Sequence, residues 1–308
     1  IFATVCFIIL LALHSRLLEK CETEEKQLQI IEKYESRRND DWQSFTDDGR
    51  SFITEENKDL MDLNILGSHS LFQWLNIAYT KSGKRKLMKQ LTKTEFDETS
   101  WKQTQCAVKE MTEHPLFGIK FQAILSGIRN IHKLDLEEKK LYPSECKKPE
   151  WISIIMGSVF ALAMLVSLVL GLCEMISFGT AGIMLLICLC NLCIFSYFHR
   201  DEYEEIEKCI RAFGKMERLI SFVSEEQFKE DVVCQYQEKI RLGKMTMHRI
   251  SKIASLYYAK ENMFSNVLFN VVFILNPLLV FLYRNTMKEG SAILYDTMKS
   301  IEKIELFM

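Results

Sequence analysis

The middle of this chain, residues 151–198, carries a single charged side chain, Glu174. Two stretches fit into it, 151–173 and 176–197, and each has about the 20 residues that a helix needs to cross a bilayer. The first stretch contains twelve Ile, Leu, Val or Phe residues, which contribute roughly −5 kcal/mol to insertion. These stretches predict a transmembrane helical hairpin; the alternative is a buried hairpin in a cytosolic core.

Basic residues flank the apolar run on both sides. Lys147 and Lys148 precede it, and His199 and Arg200 follow it. Because a hairpin returns both ends to one side, the positive-inside rule places that side in the cytoplasm. Residues 1–13 are uncharged but too short to span, so they are interpreted as the end of a truncated transmembrane helix. The sequence therefore predicts a multi-pass membrane protein whose soluble segments face the cytoplasm, with the lipid bilayer as a partner.

A third apolar stretch, residues 263–283, is also uncharged. Asn266 and Asn270 fall on one face of a helix there, and Pro277 would kink or end that helix. The stretch either spans the membrane or forms a buried helix in a cytosolic core, and the second interpretation is favoured.

Charge and cysteine content exclude several classes of protein. Lys plus Arg number 39 against 41 Asp plus Glu, a net charge of −2, which excludes a globally basic nucleic-acid binder. Four of the ten cysteines lie in the apolar run, where cysteine behaves as a small hydrophobe, and the scattered cysteines outside it form no C-x-x-C pair and have no nearby His pair, so no metal site is predicted. Ser82-Gly83-Lys84 resembles the end of a phosphate loop, but the upstream glycine is missing. No catalytic residue is predicted.

Helical periodicity dominates the charged segments and predicts an all-α fold. Asp97 is expected to cap a helix that ends before Pro115, and Pro115 suits the first turn of the next helix. Ser224 with Gln227 predicts a capping box that starts a further helix. The stretch 60–66 is interpreted as a short strand or an extended entry. Apolar residues repeat by threes and fours along a long helix: Tyr203, Ile206, Ile210, Phe213, Met216, Ile220 and Val223.

Two basic runs, 81–93 and 239–260, contain no acidic residue. Such runs bind the phosphates of nucleic acids through counterion release, and they also bind anionic lipid headgroups. The alternative is a solvated helix face. The candidate residues for contact with nucleic-acid or lipid phosphates are Lys81, Lys84, Arg85, Lys86, Lys89, Lys244 and Arg249.

Two segments resemble the MutS family of mismatch-repair ATPases, and more closely its membrane-anchored relatives in bacteria. Residues 45–52 read F-T-D-D-G-R-S-F, and residues 62–76 read D-L-N-I-L-G-S-H-S-L-F-Q-W-L-N. The family pattern T-x-x-G-K/R-x-x-L follows, matched by Thr80, Gly83, Lys84 and Leu87. A pattern R-Q-x-A-V is matched from Gln105, with Thr104 in place of the arginine. An arginine usual after the Asn76 position is Ile77 here.

The resemblance implies an all-helical core and lever that feed a C-terminal ATPase, which dimerises and binds ATP and Mg²⁺. That ATPase domain would lie beyond this chain, so the chain itself is expected to hold no cofactor. Duplex DNA and a second copy, joined through the ATPase domain, are the implied partners. The predicted function is a membrane-tethered core and lever that couples the ATPase to mismatched DNA. The alternative is a membrane-bound scaffold with a MutS-type ATPase and no mismatch recognition.

The predicted organisation, an all-α MutS-like region interrupted by a transmembrane hairpin, has six segments. They are the end of a truncated transmembrane helix (1–13), a cytosolic helix and linker (14–58), core helices (59–150), the hairpin (151–198), long lever-like helices (199–262), and an apolar core helix with a helix leading to the ATPase domain (263–308).

Overall fold

The computed structural model describes residues 2–93, 95, 97–128, 131–133, 135, isolated positions between 155 and 190, 200–259 and 275–308. The regular elements of this part of the chain are helices, and it contains no strand, which confirms the predicted all-α class. The α-helices are α1 (Phe2–Arg38), α2 (Asp59–Asp62), α3 (Leu71–Leu75), α4 (Lys81–Leu91), α5 (Glu98–Glu113), α6 (Pro115–Ser126), α7 (Arg200–Phe213), α8 (Met216–Glu225), α9 (Asp231–Ala259) and α10 (Leu275–Phe307). Short 3-10 helices occupy Asp41–Ser44, Arg50–Phe52, Glu55–Asn57 and Ile131–Lys133.

The chain forms two compact units. Unit 1 comprises Ile1–Glu137, Arg218–Leu242 and Asp296–Met308. Unit 2 comprises Glu138–Glu217 and Gly243–Tyr295.

The core of unit 1 is built around α6, which packs against α1. Phe117 of α6 is buried, stacks on Phe222 with ring centroids 5.2 Å apart, and meets Phe228 edge-on at 5.0 Å. Aromatic pairs in these arrangements stabilise a core beyond the area they bury. The buried Glu110 carboxylate accepts hydrogen bonds from the backbone N–H groups of Lys229 and Glu230, just before α9. Apolar and polar contacts together fix residues 218–242 onto the N-terminal part of unit 1.

Unit 2 contains α7 and parts of α9 and α10, and the last two helices pack closely. The sequence pattern along α7 places Ile206, Ile210 and Phe213 on one face, and all three are buried. A Cβ atom at Gly290 of α10 would lie 2.5 Å from Thr246 Cγ2 of α9, so only glycine permits this approach. The predicted apolar periodicity of α7 is therefore confirmed as a buried stripe.

Local sequence signals located several helix ends correctly. The Asp97 side chain accepts a hydrogen bond from the backbone N–H of Thr99, and α5 ends one residue before His114. Pro115 occupies the first turn of α6, as predicted. The expected capping box at Ser224 is wrong: Ser224 lies within α8, and its hydroxyl donates to the Ile220 carbonyl at 2.6 Å. The possible strand at 60–66 is instead a helical turn, α2, followed by turns.

The transmembrane hairpin at 151–198 requires correction. Among the described residues, no helix is long and apolar enough to cross a membrane. Three described helices are long enough, α1, α9 and α10, but each carries charged side chains along much of its length. Most positions of 151–198, and residues 263–274 of the third apolar stretch, lie outside the described residues.

The predicted multi-pass membrane localisation, with soluble segments facing the cytoplasm, is overturned by the same finding. That prediction relied on the length and lack of charge of the two stretches and on the apolar side chains summed over 151–173, and it assigned both stretches to lipid. Apolar content alone did not justify the assignment, because hydrophobicity does not identify what covers a side chain.

Candidate functional site

The two segments that carry the MutS resemblance pack against each other in unit 1. Gly49 has φ +78°, and a Cβ atom there would lie 2.8 Å from Phe72 Cδ1. The buried Gln73 amide donates to the Phe45 carbonyl at 2.5 Å, which ties α3 to the preceding loop. The backbone N–H of Gly67 donates to the Asp48 carbonyl at 2.8 Å. The glycine, the phenylalanine and the glutamine of these segments therefore have structural roles.

The motif residue Thr80 starts α4. Its hydroxyl oxygen accepts a hydrogen bond from the backbone N–H of Gly83 at 2.9 Å, which caps the helix. The same hydroxyl donates to Glu305 Oε2 at 2.6 Å. Glu305 Oε1 accepts from the backbone N–H groups of Tyr79 at 2.5 Å and Thr80 at 3.2 Å. We name these four residues, Tyr79, Thr80, Gly83 and Glu305, the Glu305 junction.

Gly83 is required at this junction because a side chain would not fit there, and not because of its backbone conformation. A Cβ atom there would lie 2.2 Å from Glu305 Oε2 and 2.7 Å from Thr80 Oγ1. Real Cβ contacts are not that short, so any side chain would push α10 away from the start of α4. The glycine of the T-x-x-G pattern thus leaves room for a carboxylate from the end of the chain.

Burial dominates the electrostatics of the junction. It raises the pKa of the Glu305 carboxyl to about 7, against the lowering effect of the hydrogen bonds from Thr80 and Tyr79. It also raises the pKa of the Tyr79 hydroxyl to about 12. One turn earlier in α10, the fully buried Glu302 pairs with Lys86 of α4. Two carboxylates of α10 therefore bind α4, one through a cation and one through a helix cap.

The predicted phosphate-contacting residues differ in their exposure and in their ion pairs. In α4, Lys81 and Lys89 are exposed, whereas Lys84 pairs with Asp47, Arg85 with Asp135 and Lys86 with Glu302. These three ion pairs balance half of the six cations of the first run.

The candidates in α9 lie in unit 2. Lys244 is exposed, and Arg249 pairs with Glu289 of α10 at 2.7 Å. Beside them, His248 Nδ1 lies 2.6 Å from Glu217 Oε1. In the second run, Arg249 and His248 therefore each meet an acid from another helix.

Sequence reasoning missed Glu302 and Glu305. A usable signal existed, because the two acids share the helical spacing of buried Ile301 and Ile304. Charged side chains are almost never fully buried unless they are paired. Acids inside an apolar helical stripe therefore predict buried partners elsewhere in the chain.

Comparison of this chain with protein-family models, curated proteins and solved structures gives no match. The resemblance to MutS proteins therefore depends on the motif residues themselves. The structure adds the contacts that those residues make: Gln73 joins segment 62–76 to segment 45–52, and Lys84 joins segment 80–87 to segment 45–52.

Proposed function

We propose that this chain is the helical core and lever of a MutS-like protein, and that it couples an ATP-dependent domain to a partner. The observation that carries the proposal is the Glu305 junction, in which the last turns of α10 hold the T-x-x-G motif at the start of α4. The same motif carries the family resemblance. An ATPase domain that binds ATP and Mg²⁺ and dimerises would follow Met308 in this proposal.

The junction has the properties of a coupling element. Helix α10 has 33 residues, which corresponds to a rod of about 50 Å at 1.5 Å per residue. Its final turns make three hydrogen bonds through one buried carboxylate. A displacement of these turns would leave that carboxylate without partners in a low-dielectric core, so α4 has to move with α10 or the junction breaks.

The duplex-DNA partner implied by the family receives limited support from the charges. Only Lys81 and Lys89 of the five α4 candidates are exposed. The paired state of Lys84, Arg85 and Lys86 favours the second candidate function, a scaffold that uses a MutS-type ATPase without mismatch recognition.

Sequencing the gene past the codon for Met308 tests the coupling proposal. A phosphate loop of the form G-x-x-x-x-G-K-S/T is expected within about 60 codons, at the end of a strand. If the reading frame ends or continues without that loop, the chain does not serve an ATPase and the proposal fails.

Retention on duplex DNA separates the two candidate functions. A DNA-binding core would retain duplex DNA at low salt, with a steep loss as salt rises. Replacing both Lys81 and Lys89 with Gln would then reduce the salt dependence by about one phosphate contact per lysine. The matched control is Lys102→Gln, an exposed lysine of α5 that pairs with Glu98. A scaffold predicts no retention of duplex DNA by any of the variants.

A further inference from the structure

Unit 1 contains a concave cleft that none of the proposed functions uses. It lies between the C-terminal part of α1, the loop at 44–47, and the segment that joins α3 to α4. Its volume is about 490 Å³, within the range of small-molecule sites. Three cations line it, Lys33, Arg37 and Lys84, together with one carboxylate, Asp47.

The single carboxylate is already occupied. Asp47 pairs with Lys84, and its Oδ2 also accepts from the Asn76 side-chain amide at 3.1 Å. Two of the three cations are therefore left without a carboxylate partner among the described residues. The cleft has an excess of positive charge for a ligand to balance.

Arg37 keeps its full charge although it is well hydrogen-bonded. Its Nε and one terminal nitrogen donate to the backbone carbonyls of Trp74 and Asn76, at 2.8 and 2.7 Å. The guanidinium lies over the Phe45 ring, 4.7 Å from its centroid. All of these partners are neutral, so they fix the position of the guanidinium without cancelling its charge.

Lys33 lies one helical turn before Arg37 on α1. Its ammonium lies 3.4 Å from the Tyr79 hydroxyl and 5.2 Å from the centroid of the Tyr79 ring. Desolvation, followed by the nearby charges of Arg37 and Lys84, lowers the pKa of Lys33. An anion in the cleft would oppose these effects, because it favours the charged form of the lysine.

We infer that this cleft binds a small phosphorylated anion, of the size of a mononucleotide or less, through Lys33 and Arg37. A phosphate monoester carries a charge of about −1.5 to −2 at neutral pH, which matches the two cations without carboxylate partners. A guanidinium held in a fixed position suits the oxygens of a phosphate, and a lysine adds a mobile point charge. Tyr34 and Tyr79 also line the cleft, and their hydroxyls accept hydrogen bonds from Gln122 and Lys33.

Titration calorimetry of the whole chain with inorganic phosphate, pyrophosphate and AMP tests this inference. Saturable binding with one site per chain is expected for at least one of the three probes. Lys33→Gln should weaken that binding roughly tenfold or more, since it removes one charge-assisted hydrogen bond. The matched control is Lys120→Gln, an exposed lysine of α6 outside the cleft, which should leave the affinity unchanged.

A 5′-phosphorylated oligonucleotide, compared with its unphosphorylated form, identifies the source of the phosphate. Binding of AMP but of neither oligonucleotide indicates a free small molecule, as inferred. Preference for the phosphorylated oligonucleotide over AMP would replace the small molecule with a nucleic-acid end and overturn that part of the inference. No binding of any probe at millimolar concentration, or equal binding by wild type and Lys33→Gln with circular dichroism unchanged, would refute the site. Neither result depends on whether an ATPase domain follows Met308.

Discussion

The basic runs in α4 and α9 look alike in the sequence but differ in the structure. Each contains several lysines and arginines and no acid. In α4 the side chain of Lys86 is 12% exposed and meets a carboxylate that is fully buried. In α9 the pair of Arg249 and Glu289 is about half exposed on both sides. The same composition therefore produces an internal ion pair in one helix and a surface pair in the other.

The difference arises from what lies opposite each helix. The end of α10 presents two buried acids, Glu302 and Glu305, to the start of α4. Water surrounds the α9 pair and screens it, so its energetic contribution is small. A basic run thus becomes a binding surface only where no acid from a distant segment covers it.

The largest effect is expected from Lys86→Met, which keeps the aliphatic length but leaves Glu302 buried without its cation. Breaking a buried pair in this way costs about 3–5 kcal/mol of unfolding free energy. Urea unfolding followed by circular dichroism measures the loss. The double variant Lys86→Met/Glu302→Gln should recover much of it, since it removes both charges. Equal stability of wild type and Lys86→Met would show that the α4 pair is as weak as the α9 pair.

The pH dependence of stability tests the second acid that α10 presents to α4. The pKa of Glu305 is about 7 in the folded protein and 4.5 for an unperturbed glutamate, so the folded state holds its proton more tightly. Its contribution to stability is therefore complete below about pH 4.5 and is lost as the pH rises through 7, by up to about 3 kcal/mol.

Glu305→Gln isolates this contribution, because the amide oxygen still accepts from the backbone N–H groups and the amide nitrogen can donate to the Thr80 hydroxyl oxygen in place of accepting from it. Unfolding free energies of both proteins between pH 5 and 8 are the measurement. The stability of wild type should fall relative to that of the variant as pH rises. Parallel profiles would mean that Glu305 does not titrate in this interval.

A methyl group at the junction should have a smaller effect. Gly83→Ala places a Cβ atom against Glu305 Oε2, and overpacking of this kind costs about 1–3 kcal/mol. The matched control is Gly118→Ala in α6, where the nearest atom, Met308 Sδ, would lie at an ordinary 3.7 Å. The control should gain up to about 1 kcal/mol, because alanine favours a helix over glycine. Thermal unfolding of the two variants should therefore shift in opposite directions.

The smallest effect is expected for Arg249→Met in α9. An exposed pair contributes about 0–1 kcal/mol, so the urea midpoint should hardly change, and raising the salt concentration should have little further effect. A loss comparable with that of Lys86→Met would erase the distinction between the two runs.

The sequence predicted those parts of the fold that depend on neighbouring residues. The Asp97 cap, the end of α5 and the start of α6 at Pro115 follow from side chains acting within one turn. The capping box at Ser224 failed although its residues were correct, since the preceding helix continues through that position.

The contacts of the candidate site could not be predicted in this way. Lys86 pairs with Glu302, and Thr80 donates a hydrogen bond to Glu305. In both cases the acid lies more than two hundred residues later in the chain. Local periodicity contains no information about which distant segments meet. The membrane prediction for 151–198 failed for a related reason. Apolar content measures hydrophobicity and does not identify what covers the apolar side chains.

A single oxygen atom of Thr80 takes part in two contacts, one along α4 and one to α10. Neither contact can open without disturbing the other, so the amide protons of Tyr79, Thr80 and Gly83 belong to one cooperative opening event. Their hydrogen exchange should report a common opening free energy. A serine at position 80 would preserve this linkage, whereas a valine of the same shape would abolish it.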